Sequence, residues 1–324
     1  MGSLMKKKLD IGKKTLQIQI DSLKKLKNNF PKNFNKAVET IVNCKGKVII
    51  SGVGKSGAIG AKISSTLASV GTPSFFIDAN SCSHGNLGMI DNKDCLIVIS
   101  LSGMSTELKN IIQYSNRRKI TLIAIVSKKN SILYKAADIK ILLPEVREAD
   151  HNGIVPTSST IIQLAIGDAL AVASMKFRKF DKLDFKKFHP GGTLGTKLKT
   201  VEDLMITGKK IPFINENRNM KNALKIISEK KLGVLIIISK KKQIKGIITD
   251  GDIKRALQKN HNLQKLTIKK IMTKKPICVH KKLLAAKALS IMNDKKITSL
   301  CVTNKIKKTI GLIHIHNILA GGIK

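Results

Sequence analysis

The sequence predicts an α/β protein: a three-layer αβα domain on a parallel sheet, followed by a smaller α+β domain made of two similar halves. Three observations carry this reading. Between residues 47 and 145 short apolar runs alternate with helical patterns, the pitch of parallel strands joined by crossover helices. Two of these runs end in Gly/Ser-rich turns that open helices. Beyond residue 200 the chain repeats itself with a period of about 60 residues.

Taken in order, residues 9–45 read as helical, with Leu9, Leu16, Ile20, Leu23 and Leu26 at helical or heptad spacing. Strands are expected at 48–50, 74–77, 96–99, 122–125 and 139–142. Pro156-Thr157-Ser158-Ser159-Thr160 then starts a long apolar helix running to about residue 177, since Pro and Ser/Thr suit a helix N-terminus. The first domain is expected over residues 1–200 and the two halves of the second over 201–262 and 263–324. Within those halves Val201-Glu202-Asp203-Leu204-Met205 echoes Ile268-Lys269-Lys270-Ile271-Met272. Likewise Gly246-Ile247-Ile248-Thr249-Asp250-Gly251-Asp252-Ile253 echoes Gly311-Leu312-Ile313-His314-Ile315-His316-Asn317-Ile318.

Composition narrows the function. The 324 residues are 42% hydrophobic with mean hydropathy near zero, and no uninterrupted apolar run reaches the roughly 18–20 residues of a spanning helix. Lys6, Lys7 and Lys8 are not followed by an apolar segment, so no secretory signal is expected and the cytoplasm is the expected location. Cys44, Cys82, Cys95, Cys278 and Cys301 are scattered without a C-x-x-C pair, which argues against a disulfide framework and a cysteine zinc site. Cys44, Cys95 and Cys301 are expected in the core and Cys82 at the surface. The formal charge of +39 invites a nucleic-acid reading. Only six of the 60 basic residues are Arg, aromatics are 3% and Trp is absent, whereas nucleic-acid recognition favours Arg forks and stacking rings. The spread lysines therefore read as solvated surface, with neither a specific nucleic acid nor a membrane as partner.

Chemistry concentrates in the two turns. Gly52-Val53-Gly54-Lys55-Ser56-Gly57 follows Val48-Ile49-Ile50, and Ser100-Leu101-Ser102-Gly103-Met104-Ser105-Thr106-Glu107 follows Cys95-Leu96-Ile97-Val98-Ile99. Parallel strands ending this way present N–H groups and hydroxyls at helix N-termini, a geometry for an anion, and phosphate fits it best. Lys55, His84 and Glu107 lie near enough in sequence to add proton chemistry.

Together with Ser83-His84-Gly85-Asn86-Leu87-Gly88-Met89, Pro156-Thr157-Ser158-Ser159-Thr160, Gly167-Asp168-Ala169-Leu170-Ala171 and His189-Pro190-Gly191-Gly192, these turns resemble a sugar isomerase (SIS) domain. The repeat resembles a tandem cystathionine-β-synthase-like (CBS) pair, and the combination, from about residue 10 onwards, resembles the arabinose-5-phosphate isomerase family. The resemblance implies a flavodoxin-like SIS sheet and the interconversion of ribulose 5-phosphate and arabinose 5-phosphate at the head of the route to Kdo in lipopolysaccharide. It implies a homotetramer with sites built partly from neighbouring subunits, and no required cofactor or metal. Carried over by motif position, Lys55, His84, Glu107, Glu148 and His189 are the implied catalytic residues. Gly54, Ser56, Gly57, Ser100, Ser102, Gly103 and Ser105 would hold phosphate, and Thr157, Ser158, Ser159 and Thr160 would line the site. In the CBS pair Thr249 and Asp252 would hold a nucleotide or nucleotide-sugar. Two departures stand out. Leu101 and Met104 replace polar residues of the family's serine loop, and His314 and Asn317 replace the Thr and Asp of the second CBS copy.

Isomerisation between C1 and C2 needs a proton-moving group, a cation or donor for the enediolate oxygen, and a phosphate anchor that uses remote binding energy to hold the carbons in place. Lys55 suits the charge. Glu148 is the first choice for the base and Glu107 the second, although a glutamate at a helix start often only caps it. His84 or His189 could open the furanose ring or move hydroxyl protons, and His84 is a candidate position for an inhibitory divalent ion. Other readings compete. Gly52-x-Gly54-x-x-Gly57 with Asp78 about 20 residues on satisfies the dinucleotide fingerprint of an NAD-dependent oxidoreductase, and a non-catalytic phosphosugar-sensing regulator would keep the serine loops without the acid–base set.

Overall fold

The structure, a computed structural model, describes residues 2–189, 191–240, 243–259, 263, 266–304 and 308–324; Pro190 and residue 262, where the first CBS copy was expected to end, lie outside them. Contacts divide the chain into two units, Met1–Phe188 and His189–Lys324. The first opens with helices α1 (Gly2–Asn28) and α2 (Phe34–Asn43). The expected continuous helical stretch breaks between them at Pro31, which cannot donate its N–H and disfavours helix in the residue before it. There follow β1 (Val48–Gly52), α3 (Gly54–Ser69), β2 (Ser74–Asp78), β3 (Cys95–Ile99), α4 (Leu108–Arg117), β4 (Thr121–Val126), α5 (Ile132–Ala136), β5 (Ile139–Leu142), α6 (Ser158–Phe177) and α7 (Lys182–Phe188).

All five strands are parallel, in the order β2-β1-β3-β4-β5, the flavodoxin-like winding that was expected. Burial on both faces explains why β1 and β3 are almost unbroken runs of Val, Ile and Leu. Alternate side chains serve opposite layers. Val48, Ile50, Ile97, Ile99, Ile123 and Ile125 pack with Ile63, Leu67, Ile162, Ile166 and Leu170 of α3 and α6. Ile49, Leu96, Val98, Leu122 and Ala124 pack with Leu108, Ile111 and Leu133 of α4 and α5. By length and composition α6 could cross a membrane; here it is a core helix lying on α1, α2 and α3. On α1 only Leu26 of the predicted face is buried, and Leu9, Leu16 and Ile20 are exposed.

The second unit contains α8 (Gly192–Lys197), α9 (Val201–Leu204), β6 (Phe213–Asn215), α10 (Met220–Lys230), β7 (Val234–Ile238), β8 (Ile244–Thr249) and α11 (Asp250–Lys259). It continues with α12 (Ile268–Ile271), β9 (Thr273–Lys274), β10 (Cys278–His280), α13 (Ala285–Lys295), β11 (Ser299–Thr303), β12 (Thr309–His314) and α14 (Ile315–Ala320). The copies exchange their leading segments. Met272 and Thr273, from the start of the second copy, lie against Gly246 on β8, and β9 pairs with β8. Met205 and Ile206, from the start of the first, lie against Gly311 on β12, and Ile206 bridges Leu312. A Cβ on Gly246 would stand 2.7 Å from the Thr273 carbonyl oxygen, and one on Gly311 2.6 Å from the Met205 sulfur, so each copy needs its glycine for the other's strap to close. Val201 accordingly packs in the core of the second copy and Ile268 in that of the first.

Ile166→Ala tests the role of α6 as a core helix. Its side chain is fully buried between helix and sheet, so truncation should cost about 2–5 kcal/mol, read as an earlier urea-unfolding transition of the first unit.

Candidate active site

In the order β2-β1-β3 the chain leaves β1 towards one edge of the sheet and returns to β3 on its other side, so the connections after these two strands diverge and leave a crevice at their carboxyl ends. A cleft of about 330 Å³ lies there, lined by Lys55 and Ser56 after β1, Ser100, Ser102 and Ser105 after β3, and Ser159 and Thr160 of α6. The first residues of α3, α4 and α6 (Lys55, Leu108, Ser159) all reach it. Three helix N-termini thus bring partial positive charge to one concavity.

The serine loop is built to keep its hydroxyl hydrogens available. The Gly103 amide donates to Ser100 Oγ at 3.1 Å, and the Met104 amide to Ser102 Oγ at 3.3 Å. A hydroxyl that accepts from backbone still has its O–H to donate outward. The turn depends on Gly103 at φ +64°, where an added Cβ would fall 2.4 Å from Ser131 Oγ and 2.7 Å from Val126 Cγ2. Leu101 is half-buried in the cleft wall, and Met104 is 53% exposed and outside the lining.

Glu148 is buried behind the Ser159 side of this wall. Its Oε2 accepts from the Thr157 amide at 2.7 Å, Thr157 Oγ1 at 3.0 Å and the Ser159 amide at 3.2 Å. Burial alone would raise its pKa, but the bonds from Ser159 and Thr157 outweigh it and hold the carboxyl below the ordinary glutamate value. Thr157 Oγ1 also accepts from the Ala149 amide at 2.8 Å, which clamps the segment carrying Glu148 to the start of α6. Sequence reasoning missed this partnership, because the separation of the two segments follows from the loop between them and not from a motif.

The remaining candidates sit apart from the lining. Glu107 is exposed at the start of α4 and makes no capping bond; its Oε2 accepts from Thr106 Oγ1, so the bland reading as a cap is not what the geometry shows. His84 ends a 3-10 turn, Asn80–His84, and is exposed. Asn110, one turn beyond Glu107, donates to Ser83 Oγ at 2.8 Å, which ties the His84 turn to the first turn of α4. Cys82, expected at the surface, is 2% exposed; burial and the Asp78 carboxylate push its thiol up to about 11, because the short turn folds the side chain into the layer under α4. Cys44, expected in the core, is half-buried. Gly54 and Gly57 open α3, and Ser158 is fully buried with its Oγ unpartnered. His189 belongs to the second unit. Asp78, the ribose ligand of the dinucleotide reading, accepts from the Asn80 amide and starts the turn instead. Lys62 and Asp168 form an ion pair at 2.6 Å between α3 and α6. At this exposure it is worth about 0–1 kcal/mol, and its effect is to register the two helices whose ends frame the cleft.

Gly103→Ala should therefore cost about 1–3 kcal/mol of strain and shift the serine hydroxyls. The measurable outcome is a raised KM for a phosphorylated substrate with far-UV circular dichroism retained.

The SIS domain family matches residues 40–173, and the CBS domain family matches 201–259 and 268–322. Arabinose 5-phosphate isomerase KdsD of Yersinia pestis is 41% identical over 313 residues, 96% of this chain and 95% of that protein. The enzyme of the same name from Escherichia coli K12 is 40% identical with the same coverage. The solved structure of E. coli CFT073 c3406 in complex with arabinose 5-phosphate superposes with TM-score 0.56 and 32% identity, over 57% of this chain and 98% of that one. A Listeria monocytogenes structure described as a putative sugar-phosphate isomerase gives 0.54 and 30%, over 56% and 96%. With that identity over nearly its whole length, and with both domain types in the same order, this chain belongs to the arabinose 5-phosphate isomerase family.

Proposed function

We propose that this protein is an aldose–ketose isomerase that interconverts D-ribulose 5-phosphate and D-arabinose 5-phosphate through an enediolate. The observation that carries the reading is the strand-end cleft, where three helix N-termini and five serine residues meet beside a buried, ionised glutamate. The Yersinia pestis and Escherichia coli relatives that match nearly its full length are named arabinose 5-phosphate isomerase, and a structural neighbour of the SIS domain binds arabinose 5-phosphate.

In this mechanism Ser56, Ser100, Ser102 and Ser105 donate to the phosphate, and Lys55 balances its charge or that of the enediolate. Glu148 takes the C1 proton of the ketose and returns it to C2. The hydroxyl proton leaves O1 and one is gained at O2, a task for His84, His189 or Glu107. The reaction is redox-neutral overall and needs no nicotinamide. Exposed Leu9, Leu16 and Ile20 on α1, with Ile154 at 73% and Val155 at 52% in the loop before α6, support a homo-oligomer, which we take to be a tetramer in the cytoplasm. In the second unit, a cavity lined by Thr249, Arg255, Thr298 and His314 is the proposed seat of a nucleotide or nucleotide-sugar. Asp252 is buried outside that lining and accepts from Thr249 through both the amide, at 2.9 Å, and Oγ1, at 2.7 Å, so it positions Thr249 at the cavity wall.

A coupled assay of the purified protein with ribulose 5-phosphate should yield arabinose 5-phosphate; absence of turnover with retained phosphosugar binding would favour a sensor. Glu148→Gln should lower kcat about 10²–10⁴-fold with little change in KM. The pH dependence has a definite sign. A carboxylate whose folded pKa is depressed stays proton-free, and keeps capping α6, until pH falls through that lowered value. The acid limb of kcat/KM should thus lie below pH 4.5, the unperturbed glutamate value, and a limb set near neutrality would reassign the base to a histidine.

A further inference from the structure

Two thiols meet in the second unit, outside everything the isomerase reading uses. Cys278 and Cys301 are direct partners on the parallel strands β10 and β11. Direct partners point to the same side of a sheet, and neighbouring strands lie about 4.7–4.9 Å apart, within the Cα separation of about 4.4–6.8 Å that a disulfide spans. The two differ in access: Cys278 is exposed and Cys301 is buried. The interaction with the Cys301 thiol draws Cys278 down to about 7, against partial burial, and the same contact together with burial pushes Cys301 up. The other cysteines are poor reactants by comparison: burial raises Cys44 and Cys95 as well as Cys82. One accessible sulfur that ionises near neutrality therefore abuts one shielded sulfur that keeps its proton, the pairing of an attacking and a resolving cysteine.

We infer that Cys278 and Cys301 form an oxidant-reactive dithiol site whose substrate is hydrogen peroxide or a small organic hydroperoxide and whose product is an intrachain disulfide. The Cys278 thiolate attacks the distal peroxide oxygen, the O–O bond breaks, and water (or an alcohol) leaves after protonation, giving a sulfenic acid. The Cys301 sulfur then displaces that hydroxyl, its proton departs with it as a second water, and the S–S bond forms. Two electrons pass from the thiol pair to the peroxide, and a cellular dithiol reverses the step by exchange. Cys301 also belongs to the wall of the cavity that holds Thr249, Arg255 and His314, so the bond forms at the edge of the proposed CBS ligand site.

The test uses the full-length protein, exposed to hydrogen peroxide, alkylated under denaturing conditions and digested without reductant. The expected result is loss of two alkylatable thiols per chain and a peptide pair joining Cys278 to Cys301, restored by dithiothreitol. Cys301→Ser should stop at a dimedone-trapped sulfenic acid on Cys278, and Cys278→Ser should leave Cys301 alkylatable after the same treatment. Far-UV circular dichroism and a urea-unfolding curve, recorded in parallel, report whether each variant is folded. The inference is overturned if wild-type Cys278 passes to sulfinic acid while Cys301 remains alkylatable. It also fails if Cys278 reacts no faster than Cys44, or if the only disulfide joins two chains.

Discussion

Unsatisfied N–H groups at helix N-termini are the constraint on which the first unit is organised. A doubly wound parallel sheet aims the starts of its helices at one edge, and where the winding reverses, between β1 and β3, nothing in the sheet itself covers them. The protein answers in two ways. At α6 it supplies its own anion, with Glu148 taking the amides of Thr157 and Ser159. At α3 and the serine loop it leaves hydroxyls and amides facing the cleft. The same electrostatics fixes one carboxylate at the start of α6 and, in the proposed mechanism, would receive a phosphate at the other helix ends.

That arrangement explains what a glutamate needs in order to act as a base while buried. Removal from water alone would neutralise Glu148, as it does many buried carboxyls. Three hydrogen bonds to Oε2 reverse the sign, so the carboxylate is present before substrate arrives. Glu107, by contrast, is exposed and accepts a single hydrogen bond from the neighbouring Thr106 Oγ1. Three bonds hold the buried carboxylate against one for the exposed one, which is the physical reason the proposed mechanism gives the stereochemically demanding proton to Glu148.

Much of this was legible in the sequence, and the parts that were not have a common cause. The five strands and both anion turns could be read because Val/Ile runs and Gly/Ser turns are local signals with a local mechanism. The placing of β1 beside β3 came from the resemblance to an SIS domain, since alternation alone implies a parallel sheet and not its strand order. The partnership of Glu148 with Thr157 could not be read, since the loop that brings residues 148 and 157 together carries no periodicity. Cys82 was misplaced for a similar reason: polar neighbours suggested solvent, whereas the 3-10 turn from Asn80 folds that one side chain inward. The repeat was plain, but the exchange of α9 and α12 between copies was not, because hydrophobicity says that a segment is buried and not against which copy it is buried.

The exchanged straps also bear on what the second unit can recognise. Gly246 and Gly311 admit them by the same close approach, so the two copies have kept a common frame. The turns that follow β8 and β12 have diverged. In the first, Asp252 is locked by Thr249, by an ion pair with Arg255 and by Thr273 at 3.3 Å. In the second, His314 accepts from the His316 amide and stacks loosely on its ring at 4.9 Å, and burial lowers its pKa. A carboxylate held ionised accepts hydrogen bonds and repels anions, whereas a neutral imidazole donates from one nitrogen and accepts at the other. The frame is symmetric and the chemistry of the two turns is not.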